Sequence, residues 1–141
     1  MDELHDSNDP LKGQVKGQVK GLGRQGLVIL AILQLLMLAA LYSRTEPHPP
    51  LAIPLFALAH FLSASIALAV AGLLAPGRWL SLATGVTALI SFGPQKWFDA
   101  AFPQIWPAVI LAQIAVAMVA ISLFRDWQER RAAQYSVKGG V

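Results

Sequence analysis

Long apolar runs, interrupted by a few polar breaks, dominate this chain. Between Leu27 and Phe124 only five side chains carry a charge, and each of them lies at a break between two runs. The five are Arg44, Glu46, Arg78, Lys96 and Asp99. A charged side chain at the centre of a bilayer costs at least a few kcal/mol. The pattern therefore predicts that a lipid bilayer, rather than water, surrounds most of this protein.

The lengths of the apolar runs predict four transmembrane helices. We place them at residues 27–43, 51–74, 79–97 and 105–124. The first run follows a long charged leader, and Ala40-Leu41-Tyr42-Ser43 is a poor cleavage site, so we prefer a retained helix to a signal peptide. The expected fold is an all-α membrane protein, with four transmembrane helices in an up-down bundle.

The third run is the shortest, because Gly93-Pro94 interrupts it soon after Trp79. A full span requires the helix to continue through Pro94 to Trp97 with a kink, while Lys96 extends toward the headgroups. The alternative is a re-entrant segment. We predict the kinked span, because the fourth run must then begin on the side that the charge distribution requires.

Polar segments flank the predicted transmembrane domain of residues 27–124. Residues 1–26 contain a tandem Lys-Gly-Gln-Val repeat and six glycines or prolines between positions 10 and 26. Such a composition disfavours a helix in water, so we expect a disordered basic tail in the cytoplasm. Residues 125–141 form the second predicted cytoplasmic tail. The lysines of the repeat either bind anionic headgroups or only hold the amino terminus in the cytoplasm.

The basic residues predict the orientation of the chain. The net charge is +3, and nine of the eleven lysines and arginines lie on the side of both termini if four helices span. Only Arg44 and Lys96 lie opposite. This bias indicates a multi-pass protein of a cytoplasmic membrane, which we take to be the bacterial inner membrane, with both termini in the cytoplasm. The charge therefore reflects topology, and we expect no nucleic-acid partner.

Aromatic side chains cluster at the predicted membrane boundaries. Trp79 and Trp127 fall at the inner boundary, and Trp97, Phe98 and Trp106 at the outer one. Amphipathic rings prefer the level of the headgroups. The outer cluster is either part of this aromatic belt or a docking site for a partner protein.

Each predicted span carries a polar side chain near its middle. The set comprises Gln34, His60, Thr84, Thr87 and Gln113. Polar groups avoid hydrocarbon and turn toward neighbouring helices. We therefore expect this midplane set to converge within one bundle or at a subunit interface.

Small residues recur at helical spacing on two spans. On the second span Ser63, Ala67 and Ala71 repeat every four residues, with His60 on the same side. On the third span Ser81, Ala88 and Ser91 share a face with Thr84. Small residues let two helix backbones approach closely. We interpret both faces as helix-packing surfaces.

The residue inventory argues against catalysis. The chain has no cysteine, and no carboxylate lies within a predicted span, so acid–base pairs and thiolate metal sites are missing. We expect no enzymatic activity, no metal and no cofactor. His60 keeps one alternative open, since a buried imidazole can ligate haem or a pigment.

Three functions remain after these arguments. The leading hypothesis is a non-catalytic membrane protein that acts by helix association, as an accessory or assembly subunit of a larger membrane complex or as a homo-oligomer. The second is a small-solute transporter or channel lined by the midplane set. The third is a haem- or pigment-binding redox subunit that uses His60.

Overall fold

Four α-helices and one short 3-10 helix form the described part of the chain, residues 10–46 and 53–138 of a computed structural model. The helices are α1 (Pro10–Ser43), α2 (Leu55–Leu74), α3 (Arg78–Phe92), the 3-10 helix (Pro94–Phe98) and α4 (Phe102–Lys138). No strand occurs in these ranges, and the predicted all-α class is confirmed. Three stretches are long and apolar enough to cross a membrane: Gly21–Ser43, Leu55–Leu74 and Phe102–Tyr135.

The first helix begins well before the first apolar run. The prediction of a disordered tail over residues 1–26 is wrong from Pro10 onward, because α1 includes all of residues 10–26. Extending a helix that already exists adds one hydrogen bond per ordered residue, whereas starting a new one is unfavourable. The apolar half of α1 therefore supports its glycine-rich first half. The tail residues 1–9 lie outside the described residues.

The carboxyl end of α1 is closed by the backbone. Arg44 adopts a left-handed conformation with φ of 51°, and the N–H of Thr45 donates to the carbonyl of Ala40 at 3.1 Å. This is the bond pattern of a Schellman motif, which satisfies carbonyls that would otherwise have no partner. Glycine is the usual residue at such a position, so an arginine there carries some backbone strain.

The second helix begins four residues later than predicted and ends where predicted. Pro54 precedes its first turn, and its carbonyl accepts hydrogen bonds from the N–H groups of Ala57 and Leu58. N–H groups at the start of a helix have no acceptor within the helix. Proline suits this place because it has no N–H to satisfy. The predicted tight turn at residues 75–78 is present, since α2 ends at Leu74 and α3 begins at Arg78.

The third helix ends at Phe92, so the predicted kinked span through Pro94 is wrong. Gly93 is extended, with ψ of −177°, and a separate 3-10 helix follows from Pro94. The proline ring disfavours the α conformation of the preceding residue, which explains the stop. At about 1.5 Å per residue, the 15 residues of α3 give roughly 22 Å, less than the thickness of a bilayer core.

The fourth helix continues through the predicted carboxyl-terminal tail. It begins at Phe102, contains Pro107 and extends to Lys138, so the part of the tail before residue 139 is helical. In the last third of α4 the guanidinium of Arg131 lies over the ring of Trp127, 3.7 Å from its centroid. A cation above an aromatic face stabilises the exposed end of the helix modestly.

Sequential helices pack as antiparallel neighbours. Leu27 near the start of the apolar part of α1 lies against Gly72 near the end of α2, and Gly23 lies against Ser122 on α4. The main apolar core joins α1, α3 and α4, and contains Leu27, Leu30, Leu33, Ala88, Phe92, Ala112, Ala115 and Val119. In the described ranges no Cα atom of α2 lies within 8 Å of a Cα atom of α4. A gap between these two helices follows from this arrangement.

Candidate functional site

Four polar side chains lie in the interior of the packed helices. Gln34, Ser65 and Thr84 are fully buried, and Ser91 is 8% exposed. The hydroxyl of Thr84 donates to the carbonyl of Leu80 at 2.8 Å. The side-chain amide of Gln34 and the hydroxyls of Ser65 and Ser91 have no hydrogen-bond partner within the described residues. A buried polar group without a partner costs about 1–3 kcal/mol, so this interior is polar at the expense of stability.

Gln34 and Ser65 lie at the same level on neighbouring helices. The contact between Leu27 and Gly72 sets the register of α1 against α2. Two helical turns from that contact along each antiparallel helix lead to Gln34 on one and Ser65 on the other. The sequence reasoning missed Ser65, because it placed the opposite face of α2 inside.

His60 lies outside this interior. It is exposed on α2, and its Nδ1 is 2.8 Å from the carbonyl oxygen of Phe56 in the preceding turn. A carbonyl can only accept, so Nδ1 carries the proton and Nε2 of the neutral ring is an acceptor. The predicted convergence of His60 with Gln34 and Gln113 inside one bundle is therefore wrong for His60.

The small-residue face of α2 also points outward. Ser63 and Ala67 are exposed and Ala71 is partly buried, so this face is not a packing surface between helices of one chain. The buried face is a different set: Ala59, Leu62, Ser65, Ala69 and Gly72. Gly72 explains the choice, since a Cβ there would lie 3.2 Å from a methyl carbon of Leu27, and only glycine permits this approach comfortably.

The remaining members of the midplane set lie at or near the interior. Thr87 is partly buried and donates to the carbonyl of Thr84 at 3.0 Å. Gln113 is partly buried, and its Nε2 makes a long contact of 3.5 Å to the carbonyl of Phe92. On α3, Ala88 is fully buried beside Thr84 and Ser91, whereas Ser81 is partly buried.

A cavity of about 790 Å³ lies at the end of the protein that carries Ile53 and the 93–101 connection. We call it the loop-end cavity. Its walls come from α1, α2, the end of α3 and the start of α4, and they include Leu33, Met37, Phe61, Leu62, Phe92 and Ile105. Exposed residues, among them Leu36 and Ala57, also line it, so it opens to the surroundings. It occupies the gap between α2 and α4.

The rim of this cavity carries a charged pair. Nζ of Lys96 lies 2.9 Å from Oδ2 of Asp99, and both residues line the cavity. The backbone N–H of Ala101, and then Lys96, hold the pKa of Asp99 below its ordinary value of 3.8. Beside them Gln95 donates from Nε2 to the carbonyls of Leu89 and Ile90. These bonds hold the 3-10 helix against the end of α3.

The boundary aromatics are all exposed. Trp97 and Phe98 lie on the 3-10 helix, and the ring of Trp97 is 5.0 Å from that of Phe102. Trp106 lies one turn into α4 on the same end, whereas Trp79 and Trp127 lie toward the opposite end. Trp97, Phe98 and Trp106 thus lie at the same end of the protein as the loop-end cavity.

Within the described residues, no group of three or more His, Cys, Asp or Glu side chains is arranged to hold a metal ion. Comparisons of the chain with protein families, with curated proteins and with solved structures found no match.

Proposed function

We propose that this is a non-catalytic membrane protein that acts by helix association, and that the outward face of α2 carries the association. The face consists of His60, Ser63, Ala64 and Ala67, all exposed. We further propose that four helices insert, with both termini in the cytoplasm of a bacterial inner membrane. The nine-to-two distribution of basic residues supports that orientation.

The contrast between α2 and its neighbours is the main support. Over residues 28–36 of α1 and 82–90 of α3 the exposed side chains are all large and aliphatic, for example Ile32 and Leu35 on α1 and Val86 on α3. Such side chains suit contact with lipid tails. The outward face of α2 instead combines small residues with an imidazole, and a polar ring facing hydrocarbon is unfavourable. A second helix against this face would remove that cost and could approach closely.

A second copy of the same chain fits the face chemically. Nε2 of His60 requires a hydrogen-bond donor, and Ser63 on the same face supplies a hydroxyl. Two copies related by a two-fold axis would present His60 to Ser63 in both directions, as a self-complementary interface does. We therefore propose that this face forms a homo-oligomer. The second alternative is that the same face binds another protein, and the chain is then an accessory subunit of a larger complex.

The absence of native cysteines makes a direct test practicable. A benzophenone maleimide attached to Ser63→Cys or Ala67→Cys in native membranes should yield a photoproduct of twice the 15.1 kDa chain mass. The matched control is Val86→Cys, which is exposed on α3. Products of equal yield from the two faces would reflect random collision and would contradict the proposal. A product of a different mass would overturn self-association and identify a partner subunit.

The histidine has a separate test. His60→Leu removes both symmetry-related hydrogen bonds of the two-fold dimer, so it should weaken dimerisation about eightfold, as expected for two interhelical hydrogen bonds of about 0.6 kcal/mol each. His60→Gln retains an acceptor and should restore the dimer. If the leucine variant dimerises as the native chain does, the imidazole is not part of the interface.

A further inference from the structure

We infer that the loop-end cavity is a binding site for one glycerophospholipid, with an acyl chain inside it and the phosphate at Lys96. This proposal concerns a different surface from the α2 face and does not depend on oligomerisation. Four features of the cavity carry it: its shape, the polarity of its two ends, the unpartnered hydroxyl of Ser91 and its position relative to the aromatic side chains.

The interior of the cavity is suited to hydrocarbon. Leu33, Leu62 and Phe92 line its deep part, and its volume of about 790 Å³ falls within the roughly 300–1,000 Å³ range of small-molecule sites. The cavity is open to the surroundings at exposed lining residues such as Ala57 on α2 and Gln104 on α4, and in the described ranges the backbones of these two helices stay more than 8 Å apart between Cα atoms. A lipid in the surrounding leaflet would enter through this gap without first passing through water.

The polar end of the cavity matches a phospholipid headgroup. Lys96 and Asp99 form a pair at the rim with side chains 22% and 27% exposed, so both still reach the surroundings. Lys96 can donate to a phosphate oxygen with the protons that Asp99 leaves free. Asp99 stays ionised near neutral pH, because Ala101 and Lys96 lower its pKa, and it can accept from an ammonium group of the lipid.

Ser91 provides an independent indication of a ligand. It lines the cavity, is 8% exposed, and its buried hydroxyl has no partner in the described residues. Buried hydroxyls in proteins are usually hydrogen-bonded. The ester carbonyls of a glycerophospholipid lie between phosphate and chains, and they are acceptors for the hydroxyl of Ser91, which lines the same cavity as Lys96.

The aromatic side chains place the cavity at the correct depth. Trp97 and Phe98 belong to the same 3-10 helix as Lys96, and such rings prefer the level of the headgroups. The rim would then lie among headgroups, while Leu33 and Leu62 lie among acyl chains. An amphiphile held by this cavity keeps the orientation that it already has in the leaflet.

The test is lipid retention by the full-length protein in native mass spectrometry. The delipidated protein is incubated in detergent with dioleoyl phosphatidylethanolamine, and the fraction that carries one lipid is measured. Ala57→Phe places a ring in the cavity mouth, and Ala117→Phe is the matched control on α4, exposed but outside both the cavity and the association face of α2. We expect the Ala57 variant to lose the lipid and the Ala117 variant to keep it.

Further variants address each contact. Ser91→Ala should weaken retention about fivefold, the effect of one ordinary hydrogen bond. Lys96→Met should weaken the retention of phosphatidylethanolamine about tenfold, as expected for the loss of a charged hydrogen-bond partner. It should leave the retention of dioleoylglycerol, which has no phosphate, unchanged. Ala100→Phe, at another exposed position of the lining, repeats the blocking test if Ala57→Phe does not fold.

Two results would overturn the inference. Retention by the blocked variants equal to that of the native chain would show that lipid binds elsewhere. Equal loss in the blocked variants and in Ala117→Phe would show that only non-specific surface lipid had been measured.

Discussion

The close contact between α1 and α4 predicts that Gly26→Ala destabilises the protein. A Cβ on Gly26 would lie 2.7 Å from the carbonyl oxygen of Ala115 and 2.9 Å from Cγ2 of Val119. The oxygen belongs to the backbone of α4 and cannot rotate away, so the two helices must separate. Overpacking of this kind costs about 1–3 kcal/mol.

Gly21→Ala is the matched control. It lies five residues earlier on α1, and a Cβ there meets nothing within 4 Å. Alanine in place of glycine should then stabilise the helix by up to about 1 kcal/mol. Gly26→Ala gains the same helix propensity and loses the packing, so we expect it to be about 1–3 kcal/mol less stable than Gly21→Ala.

The assay is equilibrium unfolding in mixed micelles of mild detergent and dodecyl sulfate, followed by circular dichroism. A second comparison tests the reason for the effect. Val119→Ala removes the side-chain contact and leaves the carbonyl of Ala115 in place, so it should not rescue Gly26→Ala. Equal stability of Gly26→Ala and Gly21→Ala would refute the close approach of these helices. Full rescue by Val119→Ala would show that the backbone contact is not the cause.

Three further predictions concern the interior, the topology and the rim of the cavity. Gln34→Leu should stabilise the protein by about 1–3 kcal/mol in the same unfolding assay, because it removes a buried amide without partners; a loss of stability would show that the amide is satisfied. Single cysteines at Glu46 and Asp99 should react with an impermeant maleimide added outside intact cells, whereas one at Ala75 should not; protection at Asp99 would contradict insertion of four helices. Asp99 has a folded pKa below its ordinary 3.8, so its contribution to stability should be complete at neutral pH and should disappear as the pH falls below about 4. Thermal unfolding of the native chain and of Asp99→Asn over that pH range measures this difference, and equal acid sensitivity of the two proteins would exclude it.

The sequence was a good guide to helix class and to several helix ends. Prolines and glycines act through the local backbone, so Pro54 and the turn after Leu74 could be interpreted without tertiary information. The same local rule, applied more strictly at Gly93-Pro94, would have ended α3 at Phe92. The kinked span was preferred there because a rule about charges was given more weight than the conformational preference beside a proline.

Local composition was a poor guide in the first 26 residues. Glycine lowers helix propensity, and this argument led to a disordered tail. The structure has α1 from Pro10, with Gly23 and Gly26 against α4. A glycine that weakens an isolated helix permits close packing in an assembled one, and the sequence alone does not distinguish the two roles.

The sequence by itself determined that this chain is apolar, helical and interrupted at defined breaks, because hydropathy and backbone preference are properties of short segments. Only the tertiary structure decided which face of α2 is inside. Every face of α2 is largely apolar, so no periodicity points inward, and small residues suit either a neighbouring helix or lipid. In the structure Gly72 lies against Leu27, Ser65 lies on the same buried face of α2, and His60 and Ser63 lie on the outside. Which face of α2 is buried depends on how well each face packs against the other helices. The two surfaces that must fit together are distant in the chain, so the sequence of α2 alone does not decide it.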